Sequence, residues 1–329
     1  MANPTGQDAS TELTSTAAAS QTPCLDRFHD GIYNGDFTTA TEVSYVAAII
    51  VNSLTCPFTV LLNGLVIIAV KRRPRLRTNT NILLACLAAV DLLSGFVVQP
   101  CFVFWKAFQL NGVDNNCTLR RIHNWLLGLV SLLTLLHLSI VTGERLIAIK
   151  YTMRYLSIVT PKNMRIAVIT IWVFCLVFYF GYGLSPVDQR QLRFASNIVV
   201  VFCMITCILF ILIAYAILFR VTMRHQKVIN TQQLPLDEVE RYARENKAFK
   251  TTVLVVGALL GSFLPLALLV LFRPKTGYDG LHDVFLPWAR TVAMMNSVLN
   301  PLIYCWRQKD MRKFFMKTLS QNNEPDQEP

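Results

Sequence analysis

The sequence predicts an all-α membrane protein: a bundle of seven transmembrane helices followed by a short amphipathic eighth helix on the inner leaflet. Three observations predict it. Of 329 residues, 53% are hydrophobic and only 16% charged, whereas soluble domains carry about a quarter charged residues. Several apolar stretches exceed the roughly 18 residues that read as a membrane span. The basic residues gather in short segments beside those stretches, as the positive-inside bias requires. The net charge of +11 therefore suits a membrane surface and its lipid. No basic face interleaved with aromatic side chains points to a nucleic acid.

Residues 1–43 hold six acids against one arginine and read as a disordered extracellular tail. No basic start leads into an apolar run, so a cleaved signal peptide is not expected and the first helix acts as the anchor. The bundle occupies 44–305. Span one, 44–70, ends on Lys71-Arg72-Arg73-Pro74-Arg75-Leu76-Arg77, five cations in seven residues. That loop belongs in the cytoplasm and the amino terminus outside, at the plasma membrane.

Span two covers 79–104 and span three 117–150, closing on Glu144-Arg145. Span four, 163–184, stops before Pro186, and span five, 194–222, is followed by Arg224. A polar linker rich in helix formers leads to span six, 245–272, whose helix therefore begins within the cytoplasm. Span seven is 281–305. In residues 306–316, Met311, Phe314 and Phe315 share one helical face and cations the other, which suits a helix lying on the inner leaflet. A plain charged tail is the alternative. Residues 317–329 read as a disordered cytoplasmic tail. No internal repeat is visible, against a transporter of duplicated halves.

Nine cysteines show no CxxC or His/Cys spacing for zinc. Cys56, Cys86, Cys175, Cys203, Cys207 and Cys305 lie in or beside apolar runs as core thiols. Only Cys24, Cys101 and Cys117 sit where an oxidising exterior reaches them.

An ionisable or strongly polar group inside a span points to function. Here these are Asn63 in span one, Asp91 in span two, the Glu144-Arg145 pair, and Asn296-Ser297-Val298-Leu299-Asn300-Pro301-Leu302-Ile303-Tyr304 in span seven. Asp91 in hydrocarbon needs a partner or a proton, and Thr134, Asn296, Ser297 and Asn300 are candidates to converge on it. Pro301 removes a backbone hydrogen bond and loosens the helix beside Tyr304.

In these marks the chain resembles the rhodopsin-like G-protein-coupled receptors. The Asn-Pro-x-x-Tyr of span seven, the Leu-Ala-x-x-Asp of span two, and the Glu-Arg closing span three stand in the family's order. Trp172 in span four and Tyr215 in span five do too. The resemblance covers residues 44–316. It implies a receptor, not an enzyme, whose partners are an extracellular ligand and a heterotrimeric G protein.

By that resemblance, Arg145, with Glu144 beside it, is restrained in the resting state by an acid of span six, for which Glu245 is the matching position; solvated surface charges are the alternative. Arg145 contacts the G protein when active. Met153 falls at the apolar position that plugs into the G protein, and Tyr304 and Tyr215 swing inward together. Asn63, Asp91, Thr134, Asn296, Ser297 and Asn300 form the polar network where the family binds a sodium ion. A protonated Asp91 in a water network is the alternative. No other cofactor is implied.

Four departures stand out. Leu146 replaces an aromatic after Arg145. Phe263, two residues before Pro265, replaces the tryptophan of span six, which keeps an aromatic toggle but loses the indole donor. Span five lacks a proline, with Cys207 in its place. The loop after span four, 185–193, is short and free of cysteine, so the family's usual disulfide cannot form. Cys117 then pairs with Cys24 or Cys101, or stays free. The short loop and proline-free span five resemble the branch of melanocortin, lysophospholipid, cannabinoid and adenosine receptors.

Span seven has no lysine, which excludes a retinal Schiff base. Leu127 stands where amine receptors carry an aspartate. Basic groups near the outer ends, among them His123 and Arg290, suggest an anionic or lipid-like ligand held by Arg290. An arginine snorkelling to headgroups is the equal alternative. A channel or transporter is disfavoured because the centres of spans four, five and six carry no charge. An intramembrane protease is disfavoured because no second aspartate faces Asp91.

Overall fold

Helices make up every regular element among the described residues. A computed structural model of the chain describes residues 39–111, 117–183, 189–231, 250, 253–254, 256–258, 260–269 and 280–319. We name the helices α1 (Thr39–Arg72), α2 (Asn79–Leu110), α3 (Cys117–Lys150), α4 (Pro161–Gly183), α5 (Gln189–Thr231), α6 (Val256–Leu269), α7 (Gly280–Arg307) and α8 (Lys309–Leu319). Among the described residues, α1 to α5 are long and apolar enough to cross a membrane. The polarity of α7 is turned inward: Thr291, Asn296, Ser297 and Asn300 are all buried.

Local sequence explains the helix starts. The Thr78 hydroxyl accepts from the Asn81 N–H at 3.2 Å and caps α2. Thr160 caps α4 the same way, accepting from the Asn163 N–H at 3.2 Å, with Pro161 at the first helical position, where a missing N–H costs nothing. Within α2, Ser94–Val98 form one wide π-helical turn just before Pro100, which cannot donate to the ladder.

Several ends differ from the sequence reading. Helix α1 begins at Thr39 rather than residue 44, because Thr41 and Ser44 are buried and the Ser44 hydroxyl donates to the Val284 carbonyl of α7 at 2.6 Å. Helix α2 runs to Leu110 rather than 104, carried by buried Trp105 and Lys106. Helix α5 starts at Gln189, inside the expected loop, and continues to Thr231 rather than 222. A helix that leaves the membrane no longer needs apolar residues, so the run length under-reads it. Helix α8 reaches Leu319.

Helix α3 is the axis of the bundle. Two-thirds (67%) of its apolar stretch is buried, against 17% each for α4 and α5. Helix α1 packs on α2 and α7, while α3 packs on α2, α4 and α5. Exposed Ile166, Ile169, Val173 and Val177 line α4, and Phe202, Ile205, Leu209 and Ile213 line α5. A soluble monomer rarely exposes such continuous apolar faces; a bilayer covers them.

The interior divides into two clusters along the bundle axis. One, toward the Arg145 end, gathers Leu65, Leu83, Leu138, Ile211 and Tyr304, with Val256, Leu260 and Phe263 of α6 on it. The other, toward the Lys106 end, gathers Val90, Phe102, Leu129, Leu132, Cys175 and Met294. Helices approach closely at two glycines. A Cβ on Gly95 would stand 3.0 Å from Thr59 Cγ2 of α1, and one on Gly128 would stand 2.7 Å from the Tyr179 hydroxyl of α4.

The apolar face of α8 belongs to the protein rather than wholly to lipid. Met311 and Phe315 are buried in the first cluster and Phe314 packs beside them under Arg73, whose guanidinium carbon is 5.9 Å from the ring. Trp306 and Met316 stay exposed. The Gln308 amide donates to Asn81 Oδ1 at 3.1 Å, tying the start of α8 to α2.

Candidate functional site

At one end of α3 the Glu144 carboxylate is 3% exposed, and a buried charge persists only when paired and hydrogen-bonded. It is both. Arg145 donates to it from Nε at 2.6 Å and Nη2 at 2.5 Å. The Tyr155 hydroxyl donates to Oε1 at 2.7 Å, and the Thr80 hydroxyl of α2 lies 3.2 and 3.3 Å from the two oxygens. Arg145 Nη2 also donates to the Thr80 hydroxyl. Asn79 anchors the far side, donating to the Val159 carbonyl at 3.2 Å and to the Tyr155 hydroxyl at 3.5 Å.

Tyr155 sits in the short helical turn Tyr155–Ile158 between α3 and α4. Burial, reinforced by the carboxylate it touches, pushes its phenol up to about 12, so it stays a donor at neutral pH. Beside it Met153 and Leu156 are 97% and 81% exposed, a bare apolar pair next to a restrained arginine.

The middle of the bundle holds the polar network. Asp91 is fully buried; the Asn300 amide donates to its Oδ2 at 2.9 Å, and Ser297 is buried on the same helix as Asn300. Asn63 donates to the Ser297 carbonyl at 2.8 Å and to the Thr59 carbonyl at 2.9 Å, joining α1 to α7. Thr134 and Asn296 are buried as well. Four acceptor oxygens, Oδ1 of Asn63, Asp91, Asn296 and Asn300, have no hydrogen-bond partner. An oxygen-rich set with one carboxylate is the kind of donor set that hard cations take.

Below this network Pro301 and Tyr304 of α7 are buried, Tyr304 fully. Tyr215 of α5 and Phe263 of α6 are half-buried against the same cluster, and Pro265 is exposed. Glu245 lies outside the described residues, as does Cys24. Cys117 opens α3, and Cys101 is a free thiol whose Sγ lies 3.8 Å from the Leu119 carbonyl.

At the other end, Leu127 is buried among the aliphatic and aromatic side chains of the second cluster. His123 is fully buried between Phe102 and Trp105, its ring 5.3 and 5.5 Å from theirs. Arg290 stacks over Trp105 at 4.9 Å.

Comparison with known proteins follows the same residues. Residues 62–304 match the family described as "7 transmembrane receptor (rhodopsin family)". That stretch takes in Asp91, Arg145 and the whole Asn-Pro-x-x-Tyr segment. The chain belongs to the rhodopsin family of seven-transmembrane receptors. Among its relatives is the histamine H2 receptor of Cavia porcellus, 26% identical over 77% of this chain and 74% of that protein. Trace amine-associated receptor 365 of Petromyzon marinus is 23% identical over 90% of this chain and 85% of its own. Trace amine-associated receptor 13c of Danio rerio is 26% identical, covering 90% of each chain. These names differ from the branch that the short loop resembles.

The chain thus carries a charge pair at one end of α3 and a buried polar network in mid-bundle. Sequence reasoning missed Thr80, Tyr155 and Asn79, which complete the cage around Glu144. One signal existed: a tyrosine two residues past Met153, in a loop expected to face the G protein. Lys106, another basic group near that end, is buried, which nothing in its sequence neighbours announces.

Proposed function

We propose that this receptor sits in the plasma membrane with its amino terminus outside and transmits binding of an extracellular ligand to a heterotrimeric G protein. It does no covalent chemistry. The carrying observation is the caged Arg145, held by Glu144 and Thr80 beside exposed Met153 and Leu156. A G protein that offers Arg145 new acceptors and covers the apolar pair favours the released state, which is what a population shift requires. Asp91, Asn300 and Tyr304 link that end to the rest of the bundle through α7, loosened at Pro301. Tyr215, Phe263 and Glu245 are the other parts expected to move or to restrain Arg145.

Asp91 with the unpartnered oxygens of Asn63, Asn296 and Asn300 would hold a sodium ion that stabilises the resting arrangement. The ion supplies positive charge to a buried carboxylate. The side chains themselves fix α1, α2 and α7 to one another.

The experiment is nucleotide exchange on a panel of Gα subunits in membranes from cells expressing the chain. Exchange above that of mock membranes is expected with at least one subunit, and Arg145→Ala should abolish it at equal surface expression. Exchange that no subunit shows, or that survives Arg145→Ala unchanged, overturns the reading.

A further inference from the structure

Scattered cations at one end of a membrane bundle follow from the positive-inside bias alone. Beside α8, at the Arg145 end, the cations are instead held in a fixed arrangement. Residues 71–77 lead from α1 toward α2 through the tight turn Pro74–Leu76. Leu76 is buried in the first cluster, and its carbonyl accepts from the Asn81 amide at 3.0 Å. The Arg77 guanidinium donates to the Lys71 carbonyl and closes the segment on itself. The same Asn81 accepts from the Gln308 amide just before α8, and Arg73 stacks over Phe314 of α8. One asparagine thus pins the loop and the helix side by side.

Burial decides what this surface offers. Met311 and Phe315, one turn apart, are buried against the bundle, so protein already covers the apolar face of α8. Lys309, Lys313 and Met316 recur at i, i+4 and i+7 on the opposite side; all three are exposed, as is Arg312. From the loop, Lys71, Arg72, Arg75 and Arg77 are exposed as well. Asp310 is the one acid in residues 71–77 and 309–319. An amphipathic helix ordinarily lies on a bilayer by sinking its apolar face among the acyl chains. Here that face is occupied, and the apolar groups left for lipid are Trp306 and Met316, 66% and 64% exposed. Four to eight cations just inside a membrane span attract anionic headgroups, and each cation near the surface strengthens the attraction.

We propose that residues 71–77 and α8 form one surface that binds the headgroups of acidic phospholipids. Charge attraction, rather than burial of an apolar face, then seats α8 on the inner leaflet. Lipid is favoured over an acidic protein segment because the surface adjoins the ends of α1 and α7, whose Ile68 and Leu302 are exposed as lipid-facing side chains are. The inference rests on the receptor reading above for its leaflet, since that reading turns the Arg145 end to the cytoplasm, where acidic lipid gathers.

Dioleoyl-phosphatidylserine is the probe and dioleoyl-phosphatidylcholine its neutral counterpart. The full chain is purified in a neutral detergent, each lipid is titrated in, and bound lipid is counted by native mass spectrometry. Phosphatidylserine should bind about fivefold tighter or better, the factor that one well-placed cation confers, and the preference should shrink as ionic strength rises. The triple variant Lys309→Gln/Arg312→Gln/Lys313→Gln should lose most of it, and so should Lys71→Gln/Arg72→Gln/Arg75→Gln. Arg73 and Arg77 stay in place because they hold the loop together. A third triple, Arg154→Gln/Lys162→Gln/Arg165→Gln, removes three exposed cations from the α4 side of the same end and should keep the preference. Glycerophosphoserine, the same headgroup without chains, should displace no lipid at equal concentration. Unfolding temperatures are read first, and if one of the first two triples does not fold, the other carries the test. Equal binding of the two lipids, a preference intact in both of those triples, an equal loss in the α4-side triple, or displacement by glycerophosphoserine overturns the proposal. Nucleotide exchange on reconstituted samples separates the two readings: exchange without a lipid preference removes this surface alone, and a lipid preference without exchange removes the signalling role alone.

Discussion

Replacing Tyr155 with phenylalanine should make the receptor more active in the absence of any ligand. The substitution keeps the ring and removes one hydroxyl, which donates to Glu144 Oε1 at 2.7 Å. A hydrogen bond to a charged acceptor is worth about 1.5–3 kcal/mol. Tyr155 is only half-buried, so water recovers part of that, and about 1 kcal/mol is a reasonable loss. Glu144 keeps both Arg145 contacts and Thr80, so the cage weakens without collapsing. A loss of about 1 kcal/mol from the resting state multiplies the released fraction roughly fivefold while that fraction is small. Basal nucleotide exchange in membranes with matched receptor number should rise by about that factor. Unchanged or lowered basal exchange would show that the phenol does not hold the resting state, and the argument from geometry would fail. The phenol also sets a pH expectation. Its proton is held up to about 12, above the ordinary value near 10. Its hydrogen bond is thus fully present below about 10 and is lost only as pH rises from there through 12. Between pH 6 and 9 the Tyr155→Phe increment should be constant.

Three further outcomes are expected. Asp91→Asn should remove any lowering of basal exchange when sodium replaces potassium at fixed ionic strength; a persistent sodium effect would place the ion elsewhere. Asn52→Leu breaks the bond from the Asn52 amide to the Thr291 hydroxyl, 2.8 Å long and buried between α1 and α7, and should cost about 1 kcal/mol of stability, read as a lower unfolding temperature. Met153→Ala removes a side chain that is 97% exposed and should leave stability within about 0.5 kcal/mol while lowering Gα exchange; an equal fall in both would make Met153 a structural residue.

The parts of the site that sequence reveals are those whose chemistry is improbable where it occurs. A carboxylate at Asp91 or an Asn-Pro pair at Asn300 is costly in hydrocarbon, so it stands out from the surrounding leucines. Glu144 and Arg145 stand out as charges closing an apolar run. Tyr155, Thr80 and Asn79 are ordinary in a loop or a helix start, and only the fold brings them onto Glu144. Lys106 illustrates the opposite failure. Near a helix end a lysine reads as solvated, yet the rings of Tyr45 and Trp105 lie against it, and α1 supplies one of them from the outermost turn of the expected first span. Helix ends were the least legible part of the fold, because run length measures the hydrocarbon thickness rather than the helix, as the extension of α5 to Thr231 shows.

The wide turn at Ser94–Val98 has a bearing on how such a molecule changes over time. One extra residue per turn re-phases everything beyond it by about a third of a revolution. Asp91 and Thr80 precede that turn on α2, whereas Trp105 and Lys106 follow it. The two halves of one helix are therefore indexed separately. Loss of a residue there would swing the far half round while the near half keeps its seat on α3 and α7. A sensing end can in this way be re-tuned by insertion or deletion without disturbing the machinery that reports the signal.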